Sequence, residues 1–180
     1  PLPEGAAKAS AMRSMFDAIA PRYDLVNRIL TFRLDVAWRR RTVRRLDLPS
    51  GSVVLDLACG TGDLCRDLDR AGMAPLGMDL SWGMLAAART EAPLVHADAL
   101  RLPVADGPTD RVTCGFALRH LTGSQPFLAE PAPALRTGGR LAIQEVDRPR
   151  NRFLPLGHGA YFGRAVPSLV CLPSHRASPR

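Results

Sequence analysis

The sequence predicts an α/β fold, a doubly wound, mostly parallel sheet preceded by a helical cap. Three observations predict it. Short apolar runs recur at 53–57, 74–79, 94–97, 111–116 and 140–146, segments with helical period lie between most of them, and the runs end on or beside an acid or a glycine. Strands joined through helices need crossover connections, which place helices on both faces of a parallel sheet.

The first fifty residues read as helices: SAMRSMFDAIA, a break at Pro21, RYDLVNRILT, then DVAWRRRTVRRL. In the last of these Asp35 is placed to cap the N-terminus, and Val36, Val43 and Leu46 share a side, leaving arginines around the rest. The result is an amphipathic, basic helix. LDLPSG supplies turn residues, after which the pattern runs strand 53–57, helix 62–71, strand 74–79, helix 82–90 with Ser81 as cap, and strand 94–97. A polar turn through PVADG, strand 111–116, a helix around 124–136 and strand 140–146 follow. Pro131 and Pro133 should kink or shorten the helix containing them, because each removes an amide and clashes with the preceding turn. Three regions result: a helical cap over 1–50, a ligand-binding α/β core over 51–147, and a basic, Pro/Arg-rich tail over 148–180 with one short helix near 158–166.

The 180 residues are 46% apolar and 23% charged, enough to bury the core of one domain. No window reaches the ~18 unbroken apolar residues of a membrane span, and the first residues lack a basic stretch followed by an apolar one, so a soluble, unexported, cytoplasmic protein is expected. Cys59, Cys65, Cys114 and Cys171 form no C-x-x-C pair, which suggests neither a zinc site nor a disulfide frame, and no metal is expected. The net charge of +7 is uneven. Residues 1–50 hold 10 Lys/Arg against 5 Asp/Glu, residues 51–147 hold 8 against 12, and residues 148–180 hold 6 against none. A basic periphery around an acidic centre argues against a nucleic-acid channel; it fits solvated charge runs or a peripheral contact with an anionic membrane.

VVLDLACGTGDL, residues 53–64, reads as a buried strand and a glycine turn into a helix. A dinucleotide turn wants a third glycine and a phosphate loop wants G-K-[ST]; here Cys65 follows and the only lysine is Lys8. Asp56 at the strand end and Asp63 at the helix start would repel an anion and suit a cationic ligand. Asp79 ends the second strand, 17 residues after Gly62, where an acid takes both hydroxyls of a ribose. Asp98 ends the third and, with the Ala99 amide, can meet an adenine edge. In a doubly wound sheet Gly60, Thr61 and Gly62 would line one crevice with Asp79 and Asp98. A phosphate-free nucleoside with a cationic tail fits that lining, and S-adenosyl-L-methionine is such a ligand.

Over roughly residues 12–170 the sequence resembles the ubiquinone/menaquinone-biosynthesis C-methyltransferase family of class I, Rossmann-like methyltransferases. MFDAIAPRYDLVNRILTFRLDVAWRR is similar to the N-terminal signature of that family, and VVLDLACGTGDL, GMDLSWGML, ADALRLPVADG, VTCGFALRHL and LRTGGRLAIQEV follow in its order. The resemblance implies methyl transfer from S-adenosyl-L-methionine to a ring carbon of a demethylated prenyl-quinol, foremost demethylmenaquinol. It implies cofactor contacts at Thr61, Asp79, Asp98, Ala99 and position 115, where the family often has serine and this chain has Gly115. Where members usually read R-N, this chain has Arg119 and His120. His120 is the candidate base, its ordinary pKa lying near neutrality, and Arg119 the cation beside the developing oxyanion; a strand-end histidine bonded to backbone is the other reading of His120. Tyr23, Asp24 and Asn27 are candidates for a lid on the acceptor side, and the arginines of WRRRTVRR for a lipid-facing surface. Members run further, adding a helix and an antiparallel strand pair, so a sheet lacking those last strands is expected. Other small aromatic or lipid acceptors, and a cofactor-binding protein without catalysis, remain alternatives; the sequence sets no oligomeric state.

Overall fold

The computed structural model describes residues 5–104, 107, 109–118 and 124–145. The chain divides into a compact unit, Pro1–Glu145, and a second, Val146–Arg180, none of whose residues is among those described. The expected tail over 148–180 therefore lies outside the described residues.

Helices α1 (Gly5–Ile19), α2 (Tyr23–Leu30) and α3 (Leu34–Leu46) come first, with a 3-10 turn at Ala20–Arg22 containing the predicted break at Pro21. The sheet then builds through β1 (Val53–Leu57), α4 (Asp63–Arg70), β2 (Ala74–Asp79), α5 (Trp82–Ala86), β3 (Leu94–His96), β4 (Thr109–Gly115), α6 (Ser124–Ala129) and β5 (Leu135–Gln144). Among the described residues it has five strands in the order β3-β2-β1-β4-β5, every pair parallel. The chain winds outward from β1 and returns to β4 on its other side. The crevice beyond the carboxyl ends of β1 and β4 is thus the topological switch point, where open α/β sheets bind ligands.

Successive side chains of a strand point to opposite faces, and central β1 is buried on both. Leu55 and Leu57 join Met78, Val112, Cys114 and Phe127 on one face; Val54 joins Val43, Leu46, Leu64, Leu68 and Met73 on the other. At ~25 cal/mol per Å² of apolar surface removed from water, these two clusters dominate the stabilisation. The α3 helix belongs to the second cluster, so the cap and the core share one hydrophobic interior.

Three elements, α5, β5 and the start of α3, depart from expectation, while α6 follows it. The α5 helix ends at Ala86 rather than 90, because the next residues are captured by the glycine turn: the Arg89 amide bonds the Thr61 carbonyl at 3.1 Å, and Thr90 packs against Gly62. The α6 helix stops at Ala129, before Pro131 and Pro133, as their geometry requires. The last strand starts at Leu135 opposite Thr109, loses register, and resumes at Arg140 opposite Arg111, with Gly138 at φ +79° between. At α3 the cap position belongs to left-handed Arg33, without a side-chain bond. Asp35 instead sits inside the first turn, where its carboxylate accepts from the Thr31 hydroxyl at 2.6 Å and from Arg39 at 2.7 Å.

Candidate active site

The end of β1 leads into a left-handed turn: Ala58, Gly60 and Gly62 have φ of +52°, +57° and +77°. Only glycine adopts this region without steric cost. At Gly62 a Cβ would also lie 2.6 Å from the Thr90 methyl. The position where a dinucleotide turn has its third glycine is Cys65, and the space it needs comes from the facing strand. A Cβ on Gly77 would meet Cys65 Sγ at 3.0 Å and Cys59 Sγ at 2.9 Å.

Asp79, at the end of β2, binds this turn to the next element. One carboxylate oxygen accepts the Gly60 amide at 2.8 Å and the other the Ser81 amide at 2.7 Å. Burial raises its pKa, and the Ser81, Gly60 and Leu80 amides work against that rise. Ser81 caps α5, accepting the Met84 amide at 3.1 Å. Asp98, beyond β3, accepts the Leu100 amide at 2.9 Å.

A cavity of about 140 Å³ lies at these strand ends, and Gly60, Asp79, Asp98, Ala99 and Gly115 all line it. Five of the eight cofactor residues expected from sequence are thus in one place. The other three lie beside or beneath it. Thr61 is buried, its hydroxyl donating to Asp24 of α2. Gly62 serves as the left-handed N-cap of α4. Asp56 does not line the cavity, contrary to its expected place beside a cationic ligand, because it points inward under β4. It accepts from the Thr113 hydroxyl at 2.7 Å and contacts Cys65 Sγ at 3.5 Å, and burial pushes its pKa up to about 7 against those two bonds. Arg119 and His120 lie outside the described residues.

The cap supplies one wall of the cavity. Met12, Phe16 and Tyr23 line it from α1 and α2, and the Phe16 and Tyr23 rings meet edge to face at 6.0 Å. The spacing of Met12 and Phe16, four residues apart on a predicted helix, was the readable signal for them. Asp17 of α1 accepts the Ser81 hydroxyl at 2.6 Å and the Gly83 amide at 2.8 Å, bonds that hold its carboxyl below the usual range.

Arg39 was expected among the solvated arginines of α3, yet it is buried and shared by three carboxylates: Asp35 at 2.7 Å, Asp63 at 2.9 Å and Asp67 at 3.2 Å. Burial opposes its charge, but Asp63, Asp35 and Asp67 outweigh it and raise its pKa. Asp63 begins α4, so Arg39 neutralises an acid at the foot of the glycine turn and ties the cap to it.

Comparison with known proteins agrees with this architecture. Residues 5–175 match the model of the ubiE/COQ5 methyltransferase family. The chain is 41% identical over 158 residues to a demethylmenaquinone methyltransferase of Corynebacterium urealyticum, covering 87% of this chain and 69% of that one. It is 42% identical over 158 residues to the enzyme of the same name from Mycolicibacterium vanbaalenii, with 87% and 69% covered. A Methanococcus maripaludis protein described as an S-adenosyl-L-methionine-dependent methyltransferase superposes with a TM-score of 0.67 at 17% identity, covering 86% of this chain and 74% of that one, and so shares the fold. With the signature segments, the switch-point cavity and these relatives in agreement, the chain belongs to the ubiE/COQ5 methyltransferase family.

Proposed function

We propose that the chain is an S-adenosyl-L-methionine-dependent C-methyltransferase acting on a demethylated prenyl-quinol, foremost demethylmenaquinol. The observation that carries the reading is the convergence of Gly60, Asp79, Asp98 and Ala99 on one cavity roofed by α1, in a chain whose relatives bear that activity in their names. The lining fits the cofactor. Asp79 is an acid whose two oxygens each accept one amide and retain a further lone pair for a ribose hydroxyl. Asp98 and the Ala99 amide would hold the adenine edge, with Leu100 and Met84 supplying apolar surface to its faces. When bound, the cofactor supplies a sulfonium methyl group that a carbon nucleophile can accept.

The chain's own residues position, shield and activate. Met12, Phe16 and Tyr23 line the cavity with largely apolar surface, and water displaced from it when ligands bind would strengthen each electrostatic contact inside. Loss of the phenolic proton makes the acceptor carbon electron-rich; in this reading an imidazole nitrogen of His120 takes that proton and Arg119 stabilises the oxyanion. Among the described residues no helix is long and apolar enough to cross a membrane. The reading includes a peripheral contact with an anionic membrane through the exposed arginines of α3.

Calorimetric titration of the purified chain with S-adenosyl-L-methionine and its demethylated product, followed by transfer of labelled methyl to demethylmenaquinol, tests the proposal. Saturable binding with transfer supports it. Absence of binding at millimolar ligand, or binding without transfer to any quinol, overturns it. In the latter case His120→Ala has nothing to report; otherwise it should lower turnover far more than cofactor affinity.

A further inference from the structure

The α2 helix turns two large apolar side chains to solvent while polar ones face the core. Its polar residues serve the glycine turn: Asp24 receives the Thr61 hydroxyl, and Arg28 lies 3.6 Å from Asp63. Leu25 and Ile29, i and i+4 along one stripe, are 61% and 39% exposed, and beyond the helix end Phe32 and Leu34 are 72% and 50% exposed. An amphipathic surface helix ordinarily buries that stripe and wets the other. Here the stripe is turned to solvent.

The backbone is bent to keep it there. Phe32 and Arg33, neither a glycine, both occupy the left-handed region with φ of +50° and +62°. The corner is fixed by the Phe32 amide on the Ile29 carbonyl at 3.2 Å, the Arg33 amide on the Arg28 carbonyl at 2.9 Å, and the Thr31 hydroxyl on Asp35 at 2.6 Å. Backbone strain of this kind persists where the surrounding structure over-determines it, and it clusters at functional sites.

Charge selects the occupant. Of the eight arginines from Arg22 to Arg45, six are exposed, namely Arg22, Arg33, Arg40, Arg41, Arg44 and Arg45. The two acids of the same stretch, Asp24 and Asp35, are both engaged inward. The α2–α3 segment therefore presents exposed apolar side chains together with a surplus of exposed cations. A second copy of this chain would set the same cations face to face, a juxtaposition that costs binding energy. A bilayer bearing anionic headgroups satisfies both features, since basic amphipathic surfaces bury their apolar side at the headgroup boundary while their cations meet the lipid charge.

We infer that the α2–α3 corner is a membrane-docking face that seats Leu25, Ile29 and Phe32 in the interfacial layer of an anionic bilayer. Tyr23, which lines the cavity, begins the same helix, so docking brings the cavity beside the lipid. The inference deepens the prenyl-quinol reading and rests on it for the purpose of docking, while the face itself stands on its own residues.

The test is sedimentation of the purified chain with vesicles of phosphatidylcholine alone and with phosphatidylglycerol added. Binding should rise with phosphatidylglycerol and fall with salt. The double variant Leu25→Ser/Phe32→Ser should lower the partition coefficient roughly tenfold or more, as expected for two large apolar side chains withdrawn from the interface, with an unchanged melting temperature. It should also keep methyl transfer to a short-chain, water-soluble quinol while losing transfer to a vesicle-embedded one. Absence of binding to either vesicle overturns the inference, as does undiminished binding by the double variant. A dimer that the variant converts to monomer, without vesicle binding, overturns it in favour of an interface between copies. Transfer to no quinol at all would sink the acceptor assignment and leave the vesicle measurement standing.

Discussion

Asp17 on α1 and Gly83 on α5 touch through backbone: a Cβ on Gly83 would lie 2.8 Å from the Asp17 Cα and 3.0 Å from its carbonyl oxygen. Glycine at 83 is what lets α1 approach close enough for its carboxylate to take the Ser81 hydroxyl and the Gly83 amide. Gly83→Ala should lift α1 off the cavity. Overpacking of this kind costs about 1–3 kcal/mol, and it should appear as faster proteolysis within α1 and weaker S-adenosyl-L-methionine binding. Unchanged proteolysis would show that the cap accommodates the methyl group.

Asp79→Ala removes the acceptor for two partly buried amides as well as the proposed ribose contact. Hydrogen bonds to charged groups contribute about 1.5–3 kcal/mol each, so cofactor affinity measured by calorimetry should fall roughly ten- to a hundredfold or more. Asp79→Asn keeps one carbonyl acceptor and should fall less. Equal losses in the two variants would mean that charge, rather than the pattern of acceptors, is what matters at this position.

Asp56 gives the fold a pH dependence. Its folded pKa, about 7, lies above the ordinary 3.8 because of burial, so the folded state holds its proton more tightly. The stability it contributes is fully present below the ordinary value and is lost as pH rises through 7. Asp79, also raised, acts with the same sign. Asp56→Asn preserves an acceptor for Thr113 without the charge. Thermal unfolding across this window should show the wild type losing stability relative to the variant by a few kcal/mol. A constant difference between the two would refute the assignment.

Much of this was legible from the residues, and what escaped has physical causes. The strands β1 and β2 match their predicted spans because each is a short apolar run ending beside an acid or a glycine, and a strand buried on both faces has no other pattern. The gathering of Asp79, Asp98 and Gly115 in one cavity followed from topology, since parallel strands bring their carboxyl ends to one rim. The length of α5 was not legible, because what ends it is Thr61, reached through an amide 28 residues later in the chain. Asp56 also misled: an acid at the end of a strand reads alike whether it faces the crevice or the sheet interior, and the partner Thr113 is visible only once β1 and β4 are paired.

Arg39 illustrates the same limit and supplies a prediction. Asp35 four residues before it was a readable partner; Asp63 and Asp67, one turn apart on α4, were not. Removing one member of a buried ion network costs about 3–5 kcal/mol, because the partners keep their charge. Arg39→Met should therefore lower the urea midpoint, with buried Asp35 losing its arginine while Asp63 keeps Arg28 and Arg66 and Asp67 keeps Arg70. Arg39→Lys should recover only part, since an ammonium cannot reach three carboxylates with a planar fork. Full recovery with lysine would show that net charge alone is needed.

Gly115 ends β4 at the cavity, at the position where the resemblance implies a serine. A Cβ there would have Leu64 Cδ2 as its nearest neighbour, at 3.9 Å, which is ordinary contact. The backbone is extended strand rather than left-handed, so serine can occupy it without strain. Gly115→Ser should thus fold with equal or slightly greater stability, glycine being unfavourable within a strand by roughly 0.5–1 kcal/mol. Gly115 lines the cavity, and if its added hydroxyl meets the cofactor, one hydrogen bond of about 1 kcal/mol corresponds to several-fold tighter S-adenosyl-L-methionine binding. Calorimetry on both proteins decides the matter: tighter binding at unchanged melting temperature places position 115 against the cofactor, while equal affinity places the cofactor elsewhere in the cavity.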